Sequence, residues 1–209
     1  MDGTRVRTLT PWLGIAAILV TFGTMALAIL ASPAFAVDQN ALSNLGAAGH
    51  PAGTATTELL FNGGLILGGL CGVGFAIGLA LSVEHVVARV GAAIFGVSMA
   101  SMGGVGVFPQ DGPFHFEVAA GFYLLFSVAL LVYGPGQLLA GKTREGVVSI
   151  ATALANLAVW VLWVTTVGIT APGLAIPELL GAGLVAIWTL LQVRQEFPRV
   201  SLPGRRATT

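Results

Sequence analysis

The sequence predicts an all-α polytopic membrane protein, a bundle of six transmembrane helices. Composition is the first reason: of 209 residues, 56% are hydrophobic and 9% charged, where a soluble domain carries about 25% charge. A mean hydropathy of +0.90 leaves no inventory for a water-facing surface. The second reason is a series of apolar stretches near the span of about 20 residues that a helix needs to cross a bilayer. The third is the placement of the nine basic residues, Arg5, Arg7, Arg89, Lys142, Arg144, Arg194, Arg199, Arg205 and Arg206. A count of six helices puts all of them on one side. Loops that stay in the cytoplasm keep Lys and Arg, so both termini are expected there, in the plasma membrane. That side also holds Asp2, Glu84, Glu145 and Glu196, and the other holds Asp38, Glu58, Asp111, Glu117 and Glu178.

The whole chain, 1–209, reads as a single transmembrane domain, with 195–209 as a basic cytoplasmic tail. Helix 1 is expected over about 12–34, with Arg5 and Arg7 before it and Trp12 suited to the inner interface. Ala34-Phe35-Ala36 offers a competing reading, a signal peptide with an A-x-A cleavage site. The apolar stretch is long for that and favours a retained helix. Residues 37–57 form the longest loop, rich in turn formers. Helix 2, about 58–83, is crowded with glycine. Gly64, Gly68 and Gly72 recur every fourth residue, spacing that lets helices approach closely in lipid, within the chain or between chains. Helices 3, 4, 5 and 6 are expected over about 88–108, 117–139, 147–169 and 176–194.

Glu58, Glu117 and Glu178 each open a helix running toward the basic side. A carboxylate in a first helical turn is favoured by the free amides and dipole there. Glu178 stands apart, because the helix after it is short and a carboxylate at membrane depth is a functional candidate by default. Asp111 and His115 are four residues apart, as are Glu58 and Asn62. The candidate pocket is therefore Ser43, Asn44, Glu58, Asn62, Asp111, His115 and Glu178, on the side without Lys or Arg. His115 is the expected partner for one of these carboxylates.

Other chemistry is weakly supported. Any metal would fall to Asp111, His115 and Glu178, residue types that suit zinc or a harder divalent ion. No H-E-x-x-H motif occurs, and no cofactor is expected. Ser43 has no G-x-S-x-G context. Gly103-Gly104-Val105-Gly106 lacks the Lys and Ser/Thr of a phosphate loop. Cys71 is the single cysteine, so no intrachain disulfide forms. Asn156 is read as a hydrogen bond between helices, and Trp160, Trp163 and Trp188 as packing.

Three segments carry a resemblance. They are Ala41-Leu42-Ser43-Asn44-Leu45-Gly46 with Phe61-Asn62-Gly63-Gly64, the stretch Gly106-Val107-Phe108-Pro109 to His115, and Ile176-Pro177-Glu178. Together they resemble the domain-of-unknown-function 998 family of prokaryotic six-helix membrane proteins, similar in layout to DRAM-like and Frag-like proteins. The family pattern often has an aspartate where this chain has Asn44, which weakens a metal reading. The resemblance implies six helices and directs attention to Ser43, Asn44, Asn62, His115 and Glu178, without an established reaction. The leading expectation is a non-enzymatic protein with an extracytoplasmic polar pocket for a lipid headgroup, small ligand or partner. The alternatives are a membrane-embedded metal-dependent lipid hydrolase and a small transporter. Membrane lipids are the expected partners, with a homo-oligomer or another membrane protein beside them. A short basic tail fits anionic lipid rather than nucleic acid.

Overall fold

The computed structural model describes residues 3–196. They form six α-helices: α1 (Gly3–Leu30), α2 (Ala55–Ser82), α3 (Val86–Val107), α4 (His115–Leu139), α5 (Thr143–Thr166) and α6 (Ala175–Glu196). A 3₁₀ helix, Leu42–Gly46, lies between α1 and α2, and no strand occurs among the described residues. All six α-helices are long and apolar enough to cross a membrane. The expected tail lies outside the described residues from 197 onward.

Helix α1 begins at Gly3, nine residues before the expected 12, and local chemistry moves the other helix ends by a few residues from the expected ones. Helix α1 stops at Leu30 rather than 34, because the residue before Pro33 is pushed out of helical conformation. Thr54 starts α2 early. Its hydroxyl accepts from the Thr57 amide at 3.2 Å, and the Thr57 hydroxyl accepts from the Thr54 amide at 2.8 Å, a reciprocal cap. His85 Nδ1 caps α3 by accepting from the Val87 amide at 3.2 Å. Gly141, at φ +75°, closes α4. The Gly141 and Lys142 amides reach back to the carbonyls of Leu138 and Gln137, the left-handed ending that glycine permits. Gly168, at φ +105°, ends α5 before the expected 169.

Helices adjacent in sequence pack side by side, and α6 lies between α1 and α5, closing the bundle. The glycine face of α2 is spent inside the chain. Gly64, Gly68 and Gly78 abut Thr24, Thr21 and Thr10 of α1, while Gly69 and Gly72 meet Gly103 and Met99 of α3. Between α3 and α4, a Cβ on Gly91 would lie 2.6 Å from the Tyr133 Cα.

The core is aromatic. Trp188 of α6 is fully buried and meets Phe95 at 5.0 Å, Tyr133 at 5.4 Å and Phe126 at 6.2 Å between ring centroids. Its indole N–H donates to Ser149 Oγ at 3.0 Å. Tyr133 donates to Gln192 Oε1 at 3.2 Å and accepts from Gln137 at 2.7 Å. These bonds satisfy polar groups that would be costly to bury alone. Leu19, Leu67, Leu124, Leu162 and Leu190 stay exposed on the outer faces, as side chains facing lipid do.

Antiparallel packing sorts charge. Arg89, Lys142, Arg144 and Arg194 all fall at the end opposite the 3₁₀ helix, where Lys142 pairs with Glu84 at 3.2 Å.

Candidate functional site

The segment between α1 and α2 is not a loose loop. Leu42, Ser43, Asn44, Leu45 and Gly46 are all buried. Asn44 holds the 3₁₀ helix locally, its Oδ1 accepting from the Ala41 amide at 2.8 Å, while its Nδ2 donates to Gln110 Oε1. Asn62 of α2 donates to the Gly46 carbonyl at 3.0 Å. The Ala175 amide donates to the Asn40 carbonyl at 2.9 Å. Glu178 completes the fastening, with Oε2 accepting from the Leu42 amide at 2.6 Å.

Glu178 sits in the first turn of α6 and is 9% exposed. Its backbone carbonyl accepts from the Tyr123 hydroxyl at 3.0 Å, which ties α4 to α6. Its carboxylate has no Lys or Arg beside it; the Leu42 amide is its one hydrogen-bond donor among the described residues.

Two cavities meet at this carboxylate. The inner one, about 70 Å³, runs between the helices from Ser43, His115 and Glu178 down to Phe75, Phe95 and Thr189. Its walls are otherwise almost wholly apolar, including Phe61, Met99, Met102 and Phe122. The outer one, about 570 Å³, lies among α4, α5 and the segment entering α6, with Gln110, Phe114, Glu117, Trp160 and Thr170 in its walls. Ser43, His115, Ala119, Tyr123 and Glu178 line both. Neither is lined by a Lys or Arg. Thr21 Oγ1 in the inner wall and Trp160 Nε1 in the outer wall are buried without a hydrogen-bond partner, exceptions that call for a reason.

Of the seven residues expected to line a pocket, Ser43, His115 and Glu178 do so. Asn44 and Asn62 hold the 3₁₀ helix in place instead. Glu58 is half-buried in the first turn of α2 and lines neither cavity, and Asp111 is exposed. The expected pairing of His115 with a carboxylate is corrected. His115 Nδ1 donates to the Phe108 carbonyl at 2.7 Å, which leaves Nε2 as its remaining ring nitrogen. Spacing by four brings side chains together only within a helix. Helix α4 begins at His115, and Asp111 lies before it in a turn closed by the Gly112 amide on the Pro109 carbonyl at 2.8 Å. Phe114, at φ +67°, makes the join in left-handed conformation. Among the described residues no three His, Cys, Asp or Glu side chains gather as a metal ion requires.

Tyr123 and Trp160 are the wall residues that sequence reasoning missed. A signal existed for the first: His115, Ala119 and Tyr123 are spaced by four along α4 and share a face. Trp160 contacts the Tyr123 ring at 4.6 Å.

The bundle and its cavities define a multi-pass membrane protein with a buried, two-chambered recess at one end. The chain belongs to the family described as "Protein of unknown function (DUF998)", whose model matches residues 15–194. That bears out the resemblance drawn from the sequence. No curated protein and no solved structure matches the chain.

Proposed function

We propose that this protein is a non-enzymatic binder of an amphipathic small molecule such as a membrane lipid, held at the extracytoplasmic end of the bundle. One observation carries the reading: an apolar slot and a wider, mostly apolar chamber with Gln110, Glu117 and Thr170 in its wall share a face that presents a buried carboxylate. Ligand sites are typically concave and mostly apolar, with few well-placed polar groups. The few polar groups around Glu178 fit a headgroup, and the slot fits the start of an apolar chain. The orientation rests on the positive-inside rule, which places Arg89, Lys142, Arg144 and Arg194 in the cytoplasm of a prokaryotic cell. Anionic lipid at that face is a second, weaker class of partner.

Native mass spectrometry of the protein extracted in mild detergent tests the reading. A lipid-sized adduct is expected on the wild type and lost in Ala119→Phe, which fills the wall common to both chambers. An adduct retained undiminished in that variant places the ligand elsewhere and rejects the site.

A further inference from the structure

Resting on that reading, we infer that the headgroup taken by this site is cationic, an ammonium on an apolar chain, ion-paired with Glu178 and set against the rings of Tyr123 and Trp160. A charged group removed from water needs a partner of opposite sign or a full set of hydrogen bonds. Glu178 is nine-tenths buried and has one hydrogen bond, through Oε2 to Leu42. Its other oxygen has no partner among the described residues, and the residue lines both cavities. No Lys or Arg lines either cavity to complete it, and Glu117 adds a second acid to the outer wall. A phosphate or carboxylate headgroup would face these acids with no Lys or Arg to balance it, and with only Ser43 and His115 Nε2 as possible hydrogen-bond donors in the shared wall. An ammonium satisfies the free oxygen and meets two electron-rich rings, a favourable setting for a cation once water is excluded. The narrow inner slot then receives the first carbons of the chain.

Isothermal titration calorimetry of the full chain in phosphatidylglycerol nanodiscs, whose lipid carries no ammonium, referenced to empty nanodiscs, tests the inference with hexylammonium, hexanol and hexyl phosphate. Hexylammonium is expected to bind about tenfold to hundredfold more tightly than hexanol, the range for a hydrogen bond to a charged group. Hexyl phosphate is expected to bind more weakly than either. Glu178→Gln keeps a carbonyl for the Leu42 amide and removes the charge, so it should bring hexylammonium down to the hexanol level. Ala119→Phe should abolish all three. Hexanol or hexyl phosphate binding as tightly as hexylammonium overturns the cationic headgroup and leaves amphiphile binding standing. No binding by any of the three overturns both. Exchanging phosphatidylglycerol for phosphatidylethanolamine separates the sources of the ammonium. Competition with hexylammonium marks a membrane lipid, whereas unaltered binding marks a free amine.

Discussion

Replacing Glu178 with alanine should unlatch the 3₁₀ helix without unfolding the bundle. The substitution removes an acceptor 2.6 Å from the Leu42 amide, and Leu42 is only 3% exposed. Hydrogen bonds to charged groups contribute about 1.5–3 kcal/mol. Three other fastenings remain, Asn62 on Gly46, Asn44 on Gln110 and Ala175 on Asn40, so the segment is expected to stay docked while opening more often. Local opening free energy is what amide exchange reads. The Leu42 amide should exchange about tenfold to hundredfold faster in Glu178→Ala. In Glu178→Gln, where a neutral acceptor persists, the loss should fall to about 1 kcal/mol, roughly fivefold. Amides in the middle of α3 and α4 should keep their wild-type rates. Equal Leu42 exchange in wild type and Glu178→Ala would refute the latch.

Gly136→Ala should destabilise the bundle by about 1–3 kcal/mol, the usual cost of overpacking. The new methyl would lie 2.6 Å from the Ala88 Cα, where backbone has no room to move. Gly183→Ala, with nothing within 4 Å of the added atom, should be neutral or slightly stabilising. Thermal unfolding in detergent that ranks the two the other way would reject the close α3–α4 contact. Asn156 donates to the Tyr123 carbonyl at 3.1 Å and to Ser127 Oγ at 2.8 Å. A double-mutant cycle of Asn156→Ala with Ser127→Ala should give a coupling of about 0.6 kcal/mol, as hydrogen bonds between membrane helices do; zero coupling would mean the bond contributes nothing. For orientation, a cysteine at Asp111 is the informative probe, because Ser43 is buried and Asp111 exposed. In a Cys71→Ala background, Asp111→Cys should react with a membrane-impermeant thiol reagent added outside intact cells. Labelling only after lysis would invert the proposed topology.

The helices were legible because each signal is local. Apolar runs mark the spans, and the sorting of Arg and Lys marks the alternation of direction. The glycines of α2 announced close packing, but not the partner, since Gly64 meets Thr24 of α1 and Gly72 meets Met99 of α3. The site was legible only as a set of polar residues at one end. What organises it is long-range. Leu42 bonds Glu178, and Asn44 bonds Gln110, pairings that no periodicity encodes. A polar, turn-rich segment reads as loop, and its burial depends on partners contributed by other helices. Asp111 and His115 misled for the converse reason: their spacing presumes a helix that begins only at His115.

The latch also imposes an order on assembly. The Leu42 amide and its carboxylate partner are 136 residues apart, and α6 leaves the ribosome after the other five described helices, since synthesis proceeds from the N-terminus. While α2 through α5 are being inserted, the 3₁₀ segment has no carboxylate to hold it and the recess lacks the wall that α6 contributes. Closure therefore reports that α6 has arrived in the correct orientation. A chain stalled before α6, or one with α6 inverted, leaves the 3₁₀ segment without this latch.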